Sequence, residues 1–355
     1  MNPRLAKNVT VGIIANPASG RDIRRLVARA SVFPVAEKCQ MITRLLSGLG
    51  STGVRRVLTI PDVGGIAERL RRALLSSDEG SRCWPQVEFL DMPIEDGPQD
   101  TLRAVERMIA AGVSAIIVLG GDGTHRWVAE MCGQVPLAAL STGTNNVFPE
   151  IREATIAGIA TGLVATGKVS KEESVKRNKV LRVEVNRARR ALAVVDVSVS
   201  SEWFLGSRAL WRPESLSQIF VTFSESDAIG LSAVAGAIRP ISRRQPVGLR
   251  LDLAPLHETS LIVNAAIAPG LVAPMGIAAV HEIRCGESQL VKIPRGVIAI
   301  DGEREIEFGP DHEAVVWLDL EGPLTIDFEQ TMTLAAKQGL FAYQQVATVL
   351  AGLGC

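Results

Sequence analysis

The chain has 355 residues, and its 38 basic and 38 acidic side chains cancel to a formal net charge of zero. That balance leaves no electrostatic footprint for a nucleic acid or an anionic membrane surface, and the length suits two domains that each bury a sizeable core. No charged-then-apolar leader and no run of eighteen apolar residues occurs, which points to a cytoplasmic protein without stable membrane insertion.

In chain order, short apolar runs predict buried parallel strands over 11–15, 54–60, 87–90, 115–119 and 137–140, with helical patterns between them, including 66–75 and 102–111. This alternation predicts an α/β domain with a doubly wound parallel sheet over residues 1–168. Residues 168–179 are rich in charge and read as a linker. The basic stretch 171–190 reads as a solvated linker and hairpin edge, because no aromatic residue interleaves with its charges as in an RNA-binding patch. Beyond it the pattern switches to period two: Leu181, Val183 and Val185 alternate with Arg182, Glu184 and Asn186, and Leu249, Leu251 and Leu253 with Arg250 and Asp252. Residues 169–330 are therefore expected to form a β-rich, sandwich-like domain. Residues 331–353 turn helical again, within a C-terminal segment over 331–355.

The chemistry concentrates where strands end. The run 115–119 stops at Gly120-Gly121-Asp122-Gly123-Thr124, where glycines let backbone N–H groups approach an anion and the following helix adds its positive end. An Asp-capped tight turn would also suit Gly-Asp-Gly, but three glycines in four positions exceed what a turn requires. Asp122 beside polyphosphate would be repelled unless it held Mg²⁺ or took a proton from an attacking hydroxyl, and both are roles in phosphoryl transfer. The first strand likewise feeds Asn16-Pro17-Ala18-Ser19-Gly20, and the fifth leads into Gly143-Thr144-Asn145-Asn146. In a parallel sheet these loops share one edge. Far downstream, Asp301-Gly302-Glu303 reads as a hairpin turn that brings a candidate base, Glu303.

Other signals carry less. Cysteines 39, 83, 132, 285 and 355 form no Cys-x-x-Cys pair, and His125, His257, His281 and His312 lack metal-ligand spacing, so no protein-built metal site is expected. His125 adjoins the glycine loop, where it could touch phosphate or lie on a helix surface. Residues 162–168 mimic a P-loop, yet Val169 occupies the Ser/Thr position and no strand precedes the first glycine. Gly167 then reads as a helix C-cap, with Lys168 exposed.

Together the four motifs resemble the superfamily that joins NAD kinases, diacylglycerol kinases and sphingosine kinases, in which Gly-Gly-Asp-Gly-Thr is the shared nucleotide-site signature. Its lipid-kinase branch carries Asn-Pro-x-Ser-Gly near the start, Gly-Thr-x-Asn after the next strand and Asp-Gly-Glu in the second domain. Residues 16–20, 143–146 and 301–303 match these motifs, and the resemblance runs from residue 16 to about 308. Within the superfamily the chain looks most like the acetoin catabolism protein X family, with its Asn-Asn-Val-Phe-Pro continuation at 145–149.

The resemblance implies an ATP-dependent kinase, with ATP and Mg²⁺ in a cleft between the domains and the C-terminal helix packed back on the first. Asn16, Ser19, Gly20, Gly120, Gly121, Gly123, Thr124, Gly143, Thr144 and Asn146 would bind the nucleotide phosphates, and Asp122 and Glu303 would share the base and metal-organising tasks. The acceptor would be a hydroxyl of a small or cofactor-like molecule, with Asp227 and Ser232 as candidate contacts. Trp127 and Val147 stand where lipid kinases place Glu and Asp, which weighs against diacylglycerol. Ile229 stands where NAD kinases place Tyr, which weighs against NAD. A true NAD kinase and a non-catalytic nucleotide-binding regulator remain alternatives. A homo-oligomer, as a dimer, is also expected.

Overall fold

The computed structural model describes residues 9–17, 33–76, 83–143, 146–202 and 213–342. Its first part alternates β1 (Thr10–Ala15), α1 (Val35–Ser51), β2 (Arg56–Thr59), α2 (Ile66–Leu75), β3 (Gln86–Phe89), α3 (Pro98–Ala110), β4 (Ala115–Gly120), α4 (Asp122–Met131), β5 (Leu137–Ser141) and α5 (Ala154–Ala165). Helix α3 starts four residues before the expected position. Pro98 fits its first turn, and the Asp100 carboxylate accepts the N–H of Asp96 at 2.8 Å and of Glu95 at 3.0 Å.

Strands β1 to β5 pair in parallel in the order β3-β2-β1-β4-β5. Residue parity sorts their side chains. Val11, Ile13, Ile117, Leu119 and Leu140 face α1, α2 and α5, while Ile14, Leu58, Ile116, Val118 and Leu137 face α3 and α4. Burial on both faces explains why these strands read as unbroken apolar runs. Helices α1 and α5 touch through small residues: a Cβ on Gly48 would lie 2.4 Å from Thr155 O, and one on Gly158 2.6 Å from Leu45 O. The chain leaves β1 toward β2 and β3 on one side, then returns to place β4 on the other. The crevice at this reversal lies between the carboxyl ends of β1 and β4.

The stretch expected to be a linker is ordered into α6 (Lys171–Ser174) and β6 (Val175–Arg177). The second part then runs through β7 (Val180–Val185), β8 (Arg189–Ala193), β9 (Asp196–Ser200), β10 (Leu216–Val221), α7 (Ser232–Ile238), β11 (Val247–Leu253), β12 (Leu261–Ala268), β13 (Leu271–Arg284), β14 (Gln289–Leu290), β15 (Gly296–Ile300), β16 (Glu303–Phe308), β17 (Ala314–Asp319) and β18 (Leu324–Ile326). Two antiparallel sheets, ordered β12-β13-β11-β10-β9-β15-β16 and β14-β17-β7-β8, enclose a core that includes Leu181, Val183, Val199, Phe220, Ile298 and Val316. The period-two pattern holds for Leu181, Val183 and Val185. Asp252, on the expected polar side of β11, is instead buried among Gln218, Arg250 and Lys292, whose donors compensate its charge.

Strand β18 comes back to the first sheet, parallel to β5 through Thr325 and antiparallel to β6. The basic stretch is not simply solvated either. Lys176 pairs with Asp327 and Arg182 with Asp319, and Lys179 is buried with its Nζ donating to the carbonyls of Ser242, Gln245 and Val247 at 3.1, 2.6 and 2.8 Å. Burial lowers the Lys179 pKa to about 8. The last described helix, α8 (Phe328–Lys337), packs Ala335 and Met332 against Leu163 and Val169. It ends earlier than the expected span, because Gly339 adopts φ 70° and closes the helix; residues 343–353 lie outside the described residues. At the P-loop mimic, Gly167 has φ 71° just past the end of α5, and Lys168 is exposed.

Candidate active site

The crevice gathers three loops by direct bonds. After β1, Asn16 donates its backbone N–H to Leu119 O at 3.2 Å and its side-chain amide to Thr124 Oγ1 at 2.9 Å. After β5, Thr142 N–H donates to Gly120 O at 3.2 Å. Asn146 donates to Ser141 Oγ at 2.8 Å, and its Oδ1 would lie 2.8 Å from a Cβ on Gly121. The glycines are there for close approach rather than for unusual dihedrals: Gly121 is extended, with φ −96° and ψ −177°. A Cβ on Gly120 would meet Thr124 Cβ at 2.6 Å. Gly120→Ala should therefore push Thr124 off Asn16 and cost about 1–3 kcal/mol by overpacking, read as a lower midpoint in denaturant titration.

Asp122, the first residue of α4, turns its carboxylate toward the third loop. It accepts the Val147 N–H at 3.1 Å to each oxygen and the Phe148 N–H at 2.8 Å. From the second part of the chain, the β15–β16 turn delivers Glu303 to the glycine loop, and a Cβ on Gly123 would lie 3.1 Å from Glu303 Oε1. Asp301 and Gly302 form that turn with φ 47° and 81°, as an Asp-Gly hairpin requires. Yet Asp301 does more than turn the chain. It is buried and accepts N–H bonds from Val194, Val195 and Asp196 at 3.0, 2.8 and 3.1 Å, stapling the turn to the start of β9. Burial holds its pKa well above the usual carboxylate value, Asp196 and Asp122 add to this, and Arg126 opposes it.

His125 does not lie on the helix surface. It is wholly buried under the glycine loop, with Nδ1 2.8 Å from Gly121 O and its ring 5.8 Å from that of Phe148. Burial lowers its pKa to about 4, although the carbonyls of Gly121 and Val118 favour the proton. The unfolded chain keeps the ordinary value of 6.5, so the contribution of neutral His125 to stability is complete above that pH. It fades as pH falls toward 4, by roughly 3 kcal/mol in all. His125→Gln should flatten this part of the stability profile, as measured by urea melts between pH 7 and 4.

Asn16, Gly120, Gly121, Asp122, Gly123, Thr124, Gly143, Asn146 and Glu303 thus converge. Ser19, Gly20 and Thr144 lie outside the described residues. Asp227 is exposed in the turn before α7, and Ser232 is buried as the first residue of α7. No hydrogen bond among the described residues ties either side chain to the glycine loop.

Comparison with known proteins separates the two parts of the chain. Residues 11–169 match the ATP-NAD kinase N-terminal domain, and residues 179–321 match the acetoin catabolism protein X C-terminal domain. Acetoin catabolism protein X of Cupriavidus necator is 44% identical over 334 residues, which is 93% of this chain and 93% of that protein. The chain belongs to the acetoin catabolism protein X family. Among solved structures, yeast NADH kinase complexed with NADH aligns with a TM-score of 0.52 at 14% identity, over 96% of this chain and 90% of that one. This likeness is one of fold.

Three residues of this family member that sequence reasoning does not single out support the site. Lys38 on α1 is wholly buried and donates to the carbonyls of Asn16 at 2.8 Å and Pro17 at 3.2 Å, so an amine is anchored beneath the first loop. Its signal is a charge on the apolar stripe formed by Ile42, Leu45 and Leu49. Arg126 is buried on α4, with its guanidinium 4.3 Å from the Trp127 ring centroid. Arg243, before β11, reaches Val147 and Phe148 from the second part of the chain. A lone arginine in a turn gives no sequence signal for that contact.

Proposed function

We propose that this protein is an ATP-dependent kinase that phosphorylates a hydroxyl of a small or cofactor-like acceptor within acetoin catabolism. The approach of Glu303 to Gly123 carries the reading, because it joins a carboxylate of the second part of the chain to the signature loop of the first. Asn16, Thr124, Asn146 and the backbone of the glycine loop would bind the triphosphate at the positive end of α4. Glu303 would take the proton from the acceptor hydroxyl as its oxygen attacks the γ-phosphorus and ADP leaves. Asp122, which already accepts three N–H contacts, would hold the third loop against the nucleotide.

Among the described residues no group of three or more His, Cys, Asp or Glu converges to cage a metal. That fits Mg²⁺ arriving on the nucleotide phosphates, with Glu303 or Asp122 within reach of it. The ion would neutralise phosphate charge. Among the described residues no helix is long and apolar enough to cross a membrane.

The match of residues 11–169 to the ATP-NAD kinase N-terminal domain favours NAD as the first acceptor to try. A melting screen with MgATP and NAD tests both readings. At a hundred times its dissociation constant a ligand adds about 2.7 kcal/mol, which is visible as a shift. A shift with MgATP, followed by phosphorus NMR turnover of pooled hydroxyl metabolites, supports the kinase, and turnover of NAD narrows it to an NAD kinase. The absence of an MgATP shift would reject both, and binding without turnover would leave a nucleotide-binding regulator.

A further inference from the structure

The Val147-Phe148 segment is held from both domains. Its two N–H groups are taken by Asp122 of the glycine loop. Its two carbonyls accept from Arg243, Phe148 O from Nη1 at 2.8 Å and Val147 O from Nη2 at 2.5 Å. The peptide group joining Val147 to Phe148 therefore lies between a carboxylate on its N–H and a guanidinium on its C=O, an arrangement in which each hydrogen bond strengthens the other.

Arg243 is itself held in place. Its Nε donates to Glu225 Oε1 at 3.0 Å, and its guanidinium carbon lies 4.2 Å from the centre of the Phe223 ring. The turn that carries it is fixed at both ends. Ser224 and Ile241 exchange backbone bonds of 2.9 Å, and buried Lys179 gathers the carbonyls of Ser242, Gln245 and Val247. Around this contact Phe148, Val194, Val195 and Phe223 form a shared apolar cluster between the domains.

We propose that Arg243 is a positioning residue for the candidate site, acting through Val147 and Phe148 to fix Asp122 and to couple the seating of the second domain to the glycine loop. The guanidinium reaches Glu225, Phe148 O and Val147 O through three different nitrogens, Nε, Nη1 and Nη2, a planar fork that the single Nζ of a lysine does not reproduce. The role in nucleotide binding rests on the kinase reading above. The contact itself does not.

Two readouts on the full chain separate these levels. Hydrogen exchange of the 146–149 segment should accelerate about ten-fold or more in Arg243→Ala, while exchange in β4 and β15 stays unchanged. MgATP affinity should fall by a similar factor. Millimolar methylguanidinium should restore both, and Arg243→Lys should restore little. If the alanine variant does not fold, the lysine variant carries the same readouts. Unchanged exchange at 146–149, or an exchange effect that methylguanidinium does not reverse, overturns the proposal. Should the wild-type protein fail to bind MgATP, the kinase reading falls and exchange alone decides the role of Arg243.

Discussion

Asp122→Ala is expected to cut phosphoryl transfer sharply and to weaken nucleotide binding together. The carboxylate accepts the N–H groups of Val147 and Phe148, and its removal leaves both without that charge-assisted partner. Loss of such bonds costs about 1.5–3 kcal/mol, and the freed segment carries Asn146 away from Gly121. The loss of turnover should reach about a hundred- to ten-thousand-fold, because the third loop no longer closes on the phosphates. Steady-state kinetics with ATP, paired with a binding isotherm, separate the two effects. Turnover within a few-fold of wild type would remove the glycine loop from the reaction.

Glu303→Gln should behave differently. The amide keeps the size of the side chain beside Gly123 but cannot accept a proton, so turnover should fall about a hundred- to ten-thousand-fold while MgATP affinity stays close to wild type. A variant that keeps its turnover would pass the base role to Asp122. One that loses binding and turnover equally would make Glu303 a ligand of the nucleotide or its ion. Because Glu303 follows directly on the Asp301-Gly302 turn, Asp301 sets where it points, through bonds to Val194, Val195 and Asp196.

The parallel sheet and its loops are legible in the sequence because their determinants are local. An apolar run such as 115–119 must be buried on both faces, and its abrupt end in Gly120-Gly121-Asp122-Gly123 marks a close backbone approach that no ordinary helix start needs. The hairpin at Asp301 is legible for the same reason. What the sequence hides is set by distant partners. Lys179 looks like one more charge in a basic stretch, and only the fold brings three carbonyls to it from residues 242–247. His125 looks like a helix-surface residue beside an anion site until the packing of Phe148 buries it. The charged stretch 171–177 conceals a strand, because its partner arrives nearly 150 residues later, as the 145-residue separation of Asn178 from Pro323 shows.

That late partner bears on how the protein is made. Strand β18 pairs beside β5 with β6 outside it, so a ribosome that has released residues 1–168 has produced an open sheet with the flank of β5 uncovered. The first sheet stays incomplete until the rest of the chain has emerged. Its final strand is among the last to emerge, and closing the sheet must await contacts of high sequence separation, a slow step during which the exposed edge invites pairing with other chains. Expressing the first half alone would then make an aggregation-prone fragment rather than a minimal nucleotide-binding domain.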